Sequence, residues 1–267
     1  GLGPEEADNV SAGFVFQPTF LPESAGKMTL SLDYWSIREK NVIGIEGGQV
    51  QLLYDYLLRL DGKSNPNLVR DPPVGANKVG QLVQINDNYF NITPRQLAGY
   101  DAALRYDIRS SSLGSFSFNV NAAKLTKFNQ DATEMAQKVI EANSAGRLGT
   151  GIVVTAAGNQ IGVNGNPEWR GSASLNWRRN QLRAGFFVNY VGSVNDTSPA
   201  PVDGQLFTVD SWTTASVYGQ YDFKRRDDVL DGVSLRLGVR NIADKAPPIT
   251  SSNFGYFGSL ANATGRY

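Results

Sequence analysis

The sequence predicts an all-β fold, a segment of an antiparallel transmembrane β-barrel, on three observations. Side-chain character alternates with period two over long stretches, the apolar face of the clearest stretch begins and ends in tryptophan, and the connections between stretches alternate between short and long. In the clearest stretch, Glu168 to Arg178, Trp169, Gly171, Ala173, Leu175 and Trp177 fall on one face of a strand. Glu168, Arg170, Ser172, Ser174, Asn176 and Arg178 fall on the other. Eight residue steps of about 3.3 Å, tilted by about 40°, separate the two indoles by roughly 20 Å along a barrel axis. The apolar band of an outer-membrane barrel is about 25 Å tall, with aromatic girdles at both rims. The greasy face is therefore expected to meet lipid, with Trp169, Trp177, Phe186 and Tyr190 as girdle residues.

Eight strands follow from the pattern. The first, Asn9 to Gln17, sets Val10, Ala12, Phe14 and Phe16 on one face and ends in a turn with Pro18, Pro22 and Gly26. The second runs from Lys27 to about Val42, with Met28, Leu30, Leu32 and Tyr34 opposite Thr29, Ser31 and Asp33. A long connection then carries Val50, Leu53, Tyr54 and Leu57 at helical spacing, with Gly62 as a stop. The third strand ends at Ile108 and is read as starting as early as Val79, with Pro94 interrupting it. A tight turn, Arg109 to Leu113, leads to the fourth, Gly114 to Lys127. A second helical pattern follows at Ala132, Met135, Ala136, Val139 and Ile140, with Asp131 and Glu134 as a capping pair and Gly146 beyond its end. The fifth strand is the opening one, and Arg179-Asn180 turns it into the sixth, which carries Leu182, Ala184, Phe186, Val188 and Tyr190. A loop with Pro199 and Pro201 precedes the seventh, Phe207 to Phe223. A charged turn, Lys224 to Asp231, leads to the eighth, Val233 to Asn241, and a final loop reaches Gly265-Arg266-Tyr267.

Successive connections of antiparallel strands lie at opposite ends of a barrel, and outer-membrane barrels pair short periplasmic turns with longer extracellular loops. On that rule the chain starts and stops outside, which reads as truncation at both ends. Strands one and eight must pair with each other or with missing neighbours.

Composition removes other classes. Lys+Arg equals Asp+Glu at 25 each, so no electrostatic case exists for nucleic acid. The absence of cysteine excludes disulfides and thiolate sites, and the absence of histidine removes the commonest general base and metal ligand. No apolar run is long enough for a transmembrane helix. The mean hydropathy of −0.29 suits a barrel in which only alternate residues touch lipid. The N-terminal residues lack the basic and apolar regions of a signal peptide.

The polar face carries Asp33, Asp101, Arg105, Asp107, Glu168, Arg170, Arg178, Arg183, Asp210, Arg236 and Arg240. Of these, Arg105, Arg170, Arg178, Arg183, Arg236, Arg240, Asp101 and Asp210 are candidate contacts for a solute in the lumen or for an internal domain. A merely wet, cross-paired lining would present the same residue types, with ion pairs that are individually weak. The glycine-rich Gly146-Arg147-Leu148-Gly149-Thr150-Gly151 lacks the ending of a phosphate loop and reads as a connection, and Asp227-Asp228 fall in an expected turn. No catalytic constellation, metal-ligand set or cofactor motif is legible, so neither enzyme activity nor a cofactor is expected.

Alternation alone does not say which face is outside, and a soluble lipocalin-like or lectin-like domain would turn the greasy face inward. Strands longer than the usual five or six residues, long loops on one side only, and aromatics near the strand ends favour the membrane arrangement. A passive porin-type or small closed barrel is the other alternative.

Four segments then carry a resemblance. Pro4-Glu5-Glu6-Ala7-Asp8-Asn9, Leu30-Ser31-Leu32-Asp33-Tyr34-Trp35-Ser36-Ile37 with Lys40-Asn41, Tyr100-Asp101-Ala102-Ala103-Leu104-Arg105-Tyr106, and Leu235-Arg236-Leu237-Gly238-Val239-Arg240-Asn241-Ile242-Ala243-Asp244-Lys245 resemble, in order and spacing, the C-terminal part of TonB-dependent outer-membrane receptors. The resemblance spans essentially the whole chain and implies a barrel of about 22 strands with a plugged lumen. Residues 1–267 would be its C-terminal portion, eight strands and the start of a ninth, with the plug domain and N-terminal strands absent. It further implies energised uptake, in the bacterial outer membrane, of a scarce solute from outside, of the siderophore-iron, cobalamin or carbohydrate class. Lipid would surround the barrel and the TonB complex would act through the missing N-terminal region. Many relatives with this loop layout carry paired cysteines near the first loop helix, and this chain has none. With Leu235 on the lipid side and Arg236 on the lumen side, Leu235→Arg should disrupt assembly, since a lipid-facing arginine costs about 2–4 kcal/mol at mid-depth. Arg236→Leu should be tolerated, and outer-membrane levels of the two variants check the assignment.

Overall fold

Eight strands follow one another as a single antiparallel meander in the computed structural model, which describes residues 1–149, 152–155, 157–198, 205–223, 232–251 and 255–260. They are β1 (Glu6–Phe16), β2 (Lys27–Lys40), β3 (Arg95–Ser110), β4 (Gly114–Gln130), β5 (Trp169–Arg179), β6 (Leu182–Val191), β7 (Trp212–Asp222) and β8 (Ser234–Val239). Each strand hydrogen-bonds to its neighbours in sequence. Among the described residues β1 pairs only with β2 and β8 only with β7, so the sheet is open and is not the small closed barrel. The expected turn at Lys224 to Asp231 with its Asp227-Asp228 pair, the loop prolines Pro199 and Pro201, the Thr150-Gly151 pair and the Gly265-Arg266-Tyr267 opening of a ninth strand lie outside the described residues.

The ladder fixes the faces. Leu30 is opposite Leu104, Leu104 opposite Val120, Val120 opposite Ala173, and Ala173 opposite Val188. The next residue on each strand belongs to the other face, where Ser31, Ala103, Asn121, Ser172 and Asn189 align in the same way. The apolar face is left open: Val120 is 43% exposed, Leu235 54% and Leu237 71%. A soluble domain would bury that face; instead, the described buried clusters lie in the connections. Along this face Tyr34 meets Tyr100 at 5.3 Å, Lys124 lies 4.9 Å over the Trp169 ring, and the Trp177 indole donates to the Leu113 carbonyl at the short-turn end. Trp169 and Tyr190 thus sit at the long-connection end and Trp177 at the short one. Phe186 falls midway along β6, opposite Leu175 and Val217, so it packs within the apolar band and not at a rim.

Three boundaries depart from the alternation. β3 begins at Arg95, directly after Pro94, whose missing N–H ends the ladder; upstream, Leu82–Ile85 pairs with Leu68–Arg70 and Phe90–Asn91 with Ile43–Gly44. The segment Phe207 to Phe223 is two strands. Phe207–Val209 pairs with Val194–Asp196 in a small hairpin, and β7 starts only at Trp212. The cap of the second helix is also different. Asp131 is still tied to the sheet through its amide on the Pro94 carbonyl, so α2 (Glu134–Ser144) starts beyond it, with Thr133 as the cap accepting from the Ala136 amide at 3.0 Å. Glu134 pairs with Lys138 at 2.7 Å.

Among the described residues, the connections β1–β2, β3–β4 and β5–β6 are the short ones and lie at one end of the sheet, and those carrying helices and hairpins lie at the other. There α1 (Gly48–Leu60) packs on α2 through Val50 and Leu57 against Ala136, Val139 and Ala142, as the helical spacing predicts. Asp55 lies beneath this pair, 1% exposed, and its carboxylate accepts from Arg59 Nε at 2.8 Å, Arg70 Nη2 at 3.2 Å and the Asn65 amide at 2.9 Å. Asn65 in turn donates to the Gln51 side chain at 2.7 Å. Asp87 accepts from the amides of Glu46 and Gly47, where the positive end of α1 begins.

Two outcomes follow. With the apolar face in hydrocarbon, Val120→Arg, in the middle of β4, is expected to cost about 2–4 kcal/mol and to abolish outer-membrane assembly. Leu235→Arg, opposite Tyr221 and next to the short-turn end, should cost less, because the penalty falls toward the interfaces. Burial drives the Asp55 carboxyl upward, but the Arg59 hydrogen bond, the Asn65 amide and the charges of Arg59 and Arg70 outweigh it and hold the group below the ordinary range near 3.8. A depressed carboxylate stabilises the fold above the unfolded-state value and loses that contribution as pH falls through the folded one. Proteolysis and amide exchange in residues 46–87 should therefore rise below about pH 4. Asp55→Asn should give the open behaviour at pH 7, since breaking a buried pair costs about 3–5 kcal/mol.

Candidate functional site

The polar face of the sheet is its hollow side. One recess of about 680 Å³ gathers that face from β2 to β7, which requires the strands to curl around it. Its floor carries short neutral groups: Asn121 donates to the Ser172 hydroxyl at 3.4 Å, a cross-strand pair that the register sets side by side. Its charged wall is Asp33, Asp101 and Arg170. Asp33 is directly opposite Asp101, Asp101 opposite Ala123, and Ala123 opposite Arg170, so two acids and one base lie along one line across four strands. Like charges directly opposite one another on neighbouring strands oppose folding. The two carboxylates therefore make the recess a place where a donor-rich or cationic group is welcome, beside an arginine that accepts the opposite charge.

Two further hollows continue the polar face toward the short turns. One, of about 820 Å³, holds Arg236, Arg240, Asn176 and Tyr218. The Arg236 guanidinium stacks 3.8 Å over the Tyr218 ring, and the Tyr218 hydroxyl donates to the Asn176 side-chain oxygen at 3.0 Å. That ring lies flat over Gly185, where a Cβ would stand 2.1 Å from a ring carbon, so the aromatic fills the space a side chain would need. The other hollow, of about 770 Å³, collects Lys27, Arg105, Arg109, Arg178 and Arg183. Arg105 pairs with Asp107 at 2.7 Å and Arg183 with Asp222 at 2.8 Å, while Arg178 stands directly opposite Arg183.

The structure therefore brings Asp101 together with Arg170, Arg236 with Arg240, and Arg105 with Arg178 and Arg183. Asp210 joins none of them. It lies exposed in the two-residue link between the Phe207–Val209 hairpin strand and β7. Alternation did not single out Tyr218, Trp212 or Leu260. Tyr218 is an aromatic on a polar face flanked across both ladders by Gly185 and Gly238, a signal that exists only once the register is known.

Leu260 closes the recess from the long-connection side, packed with Val194 and Val209. This closure is anchored by Asp196, which is fully buried and accepts from the Ser198 amide at 2.9 Å and from the amide and hydroxyl of Ser251 at 2.8 and 2.7 Å. Burial pushes the Asp196 carboxyl up, but the bonds from Ser198 and Ser251 prevail and hold it below the ordinary range. The carboxylate thus locks the loop after β6 to the loop after β8. Among the described residues no three acids converge to hold a metal ion, and no helix is long and apolar enough to cross a membrane.

An open, curled, two-faced meander with all its elaborated connections on one rim is also found in proteins of known structure. The siderophore receptor PirA from Acinetobacter baumannii superposes with a TM-score of 0.53 at 15% identity over 98% of this chain. The ferric enterobactin receptor PfeA from Pseudomonas aeruginosa gives 0.51 at 12% identity, again over 98%. The chain spans 30% and 29% of those two proteins, and at such identities the likeness is one of fold. A curated relative, Outer membrane protein B from Rickettsia conorii, is 22% identical over 212 residues, 73% of this chain and 13% of that protein. The family profile described as TonB dependent receptor-like, beta-barrel, matches residues 1–242, and the chain belongs to that family.

Proposed function

We propose that residues 1–267 are the C-terminal part of the barrel of an outer-membrane receptor that takes up a scarce solute by an energised route, of the siderophore-iron, cobalamin or carbohydrate class. The observation that carries this reading is the 680 Å³ recess on the hollow face. It lies next to the elaborated connections, is floored by amides and hydroxyls, and has Asp33, Asp101 and Arg170 on its wall. A hydroxyl-rich chelate meets the groups it needs there: donors from Asn121 and Arg170, acceptors from the two aspartates.

On this reading the long-connection rim faces the outside and the short turns face the periplasm. The apolar face meets lipid, and the TonB complex acts through a region outside this chain. The basic hollow around Arg105, Arg178 and Arg183 lies below the recess, on the side by which a solute would leave or against which an internal domain would rest. The apolar exposure of Val120, Leu235 and Leu237 supports the lipid-facing side and speaks against the soluble alternative. Among the described residues the outer edges of β1 and β8 are unpaired, which speaks against a passive barrel made of this segment alone.

Uptake of labelled ferric siderophores, cobalamin and oligosaccharides by cells carrying the full receptor tests the proposal. One of these classes should accumulate, and a protonophore should stop its accumulation. Arg170→Gln should lower affinity for that solute by about tenfold or more, because a hydrogen bond to a charged group contributes about 1.5–3 kcal/mol. Asp101→Asn, which removes the like-charge opposition, should leave heat-modifiable mobility intact or improved while lowering uptake. Uptake that survives the protonophore, or that is indifferent to both substitutions, would contradict the reading.

A further inference from the structure

The polar face ends toward the short turns in a row of arginines that the registers line up. Arg109 on β3 is opposite Ser115, Ser115 opposite Arg178, Arg178 opposite Arg183, Arg183 opposite Gln220, and Gln220 opposite Arg236. Four arginines and no acid thus occupy one line across six strands, about 24 Å long at the usual strand spacing. The central two are neighbours. Arg178 and Arg183 follow the pair Arg179 and Leu182 that closes the turn Asn180-Gln181, so their Cβ atoms stand about 5 Å apart.

The adjoining rows do not neutralise this line. Asp107 is bonded to Arg105 at 2.7 Å, Asp222 to Arg183 at 2.8 Å, and Glu23 is exposed on the same wall as Lys27. Setting each of these acids against one base still leaves Arg109, Arg178 and Arg236 over. The segment from β7 to β8 carries Lys224, Arg225 and Arg226 against Asp227, Asp228 and Asp231, and so adds no net charge. Among the described residues the Arg178 side chain makes no hydrogen bond or ion pair, and Nε of Arg183 is buried without an acceptor. A guanidinium keeps its proton at any physiological pH, so an anion, and not titration, relieves two of them side by side.

The surroundings bring further donors to the central pair. Tyr218 reaches from β7 across Gly185 to Asn176 on β5, and Arg236 lies on its ring, which draws the fourth guanidinium from β8 toward the pair. Ser115 adds a hydroxyl between Arg109 and Arg178. We propose that Arg178 and Arg183, with Arg109 and Arg236 reaching in from either side, form a binding site for an oxyanion, a phosphate or carboxylate group. An oxyanion is the occupant because its oxygens accept paired N–H bonds from a guanidinium, which a halide does not. The hollow of about 770 Å³ beside the pair admits a small free anion or the acidic group of a larger solute. The site rests on the registers; only its place in the lumen, on the periplasmic side of the recess, rests on the proposed function.

Labelling the full receptor with the arginine reagent phenylglyoxal, followed residue by residue by mass spectrometry, tests this. Inorganic phosphate should slow the labelling of Arg178 and Arg183 roughly tenfold, the effect of one charge-assisted hydrogen bond, and leave Arg38 and Arg179 on the opposite face unchanged. Arg178→Gln removes no hydrogen bond or ion pair among the described residues, so heat-modifiable mobility should be retained, and in this variant phosphate should no longer protect Arg183. The solute that cells accumulate, added without phosphate, separates the two sources: protection by it assigns the site to an acidic group the solute carries, and protection by phosphate alone assigns it to a free ion. Labelling of Arg178 and Arg183 that neither addition changes overturns the site, including resistance from the outset such as carboxylates of an internal domain would impose. Equal protection of Arg38 and Arg179, or protection of Arg183 that persists in folded Arg178→Gln, overturns it as well. Uptake is read separately, so a failed site leaves the transport reading to its own test.

Discussion

Hydrocarbon offers a peptide group no hydrogen bond, so every N–H and C=O that crosses a membrane as a strand must be matched by a neighbouring strand. That requirement organises this chain. The ladders β1 to β8 are continuous antiparallel pairings, and with side chains alternating at period two each register decides a whole face. A slip by one residue would turn Val120, Ala173 and Leu175 into the hollow and Asn121, Ser172 and Asn176 outward. The observed registers keep the two sets apart across all the ladders, and the single bulge in β4 falls above the aromatic level, where a change of face moves Lys127 outward at little cost.

The connections obey a different physics. Beyond the strand ends, α1 and α2 bury their apolar stripes against each other and enclose Asp55, while Asp196 joins two other connections. These are small water-soluble cores, each centred on a carboxylate held by designated donors. They hold the long connections above the recess so that its upper wall has a fixed shape. The polar face beneath carries charge that local folding does not need. Asp33 opposite Asp101, and Arg178 opposite Arg183, are arrangements that a sheet optimised only for stability would avoid. On the proposed function, a ligand or another domain would supply the charge that these pairs lack.

Most of the architecture was legible because it rests on periodicity. The alternation at Trp169 to Trp177, at Leu182 to Tyr190 and at Phe116 to Ala122 marks strands, faces and rims, and the spacing of Val50, Tyr54 and Leu57 marks α1. What escaped depends on contacts between distant segments. The break at Asp210-Ser211 arises because Phe207–Val209 pairs with Val194–Asp196, a choice that apolar spacing within Phe207 to Phe223 does not reveal. Asp131 looked like a cap until the tie to Pro94 kept it in the sheet. Phe186 has the character of a girdle residue, and only its place midway along β6 puts it in the apolar band. The grouping of the candidate charges into a recess and two lower hollows required the registers, as did the stacking of Tyr218 between Gly185 and Arg236.

The chain's lack of cysteine allows its two faces to be read out directly. Single cysteines placed by Val120→Cys and Asn121→Cys, neighbours on one strand and on opposite faces, can be probed in native outer membranes with a lipid-dissolved and a water-soluble thiol reagent. The account predicts that Val120→Cys reacts with the lipid-dissolved reagent and Asn121→Cys with the water-soluble one. The reverse pattern, or equal reaction of both positions with the water-soluble reagent, would contradict it.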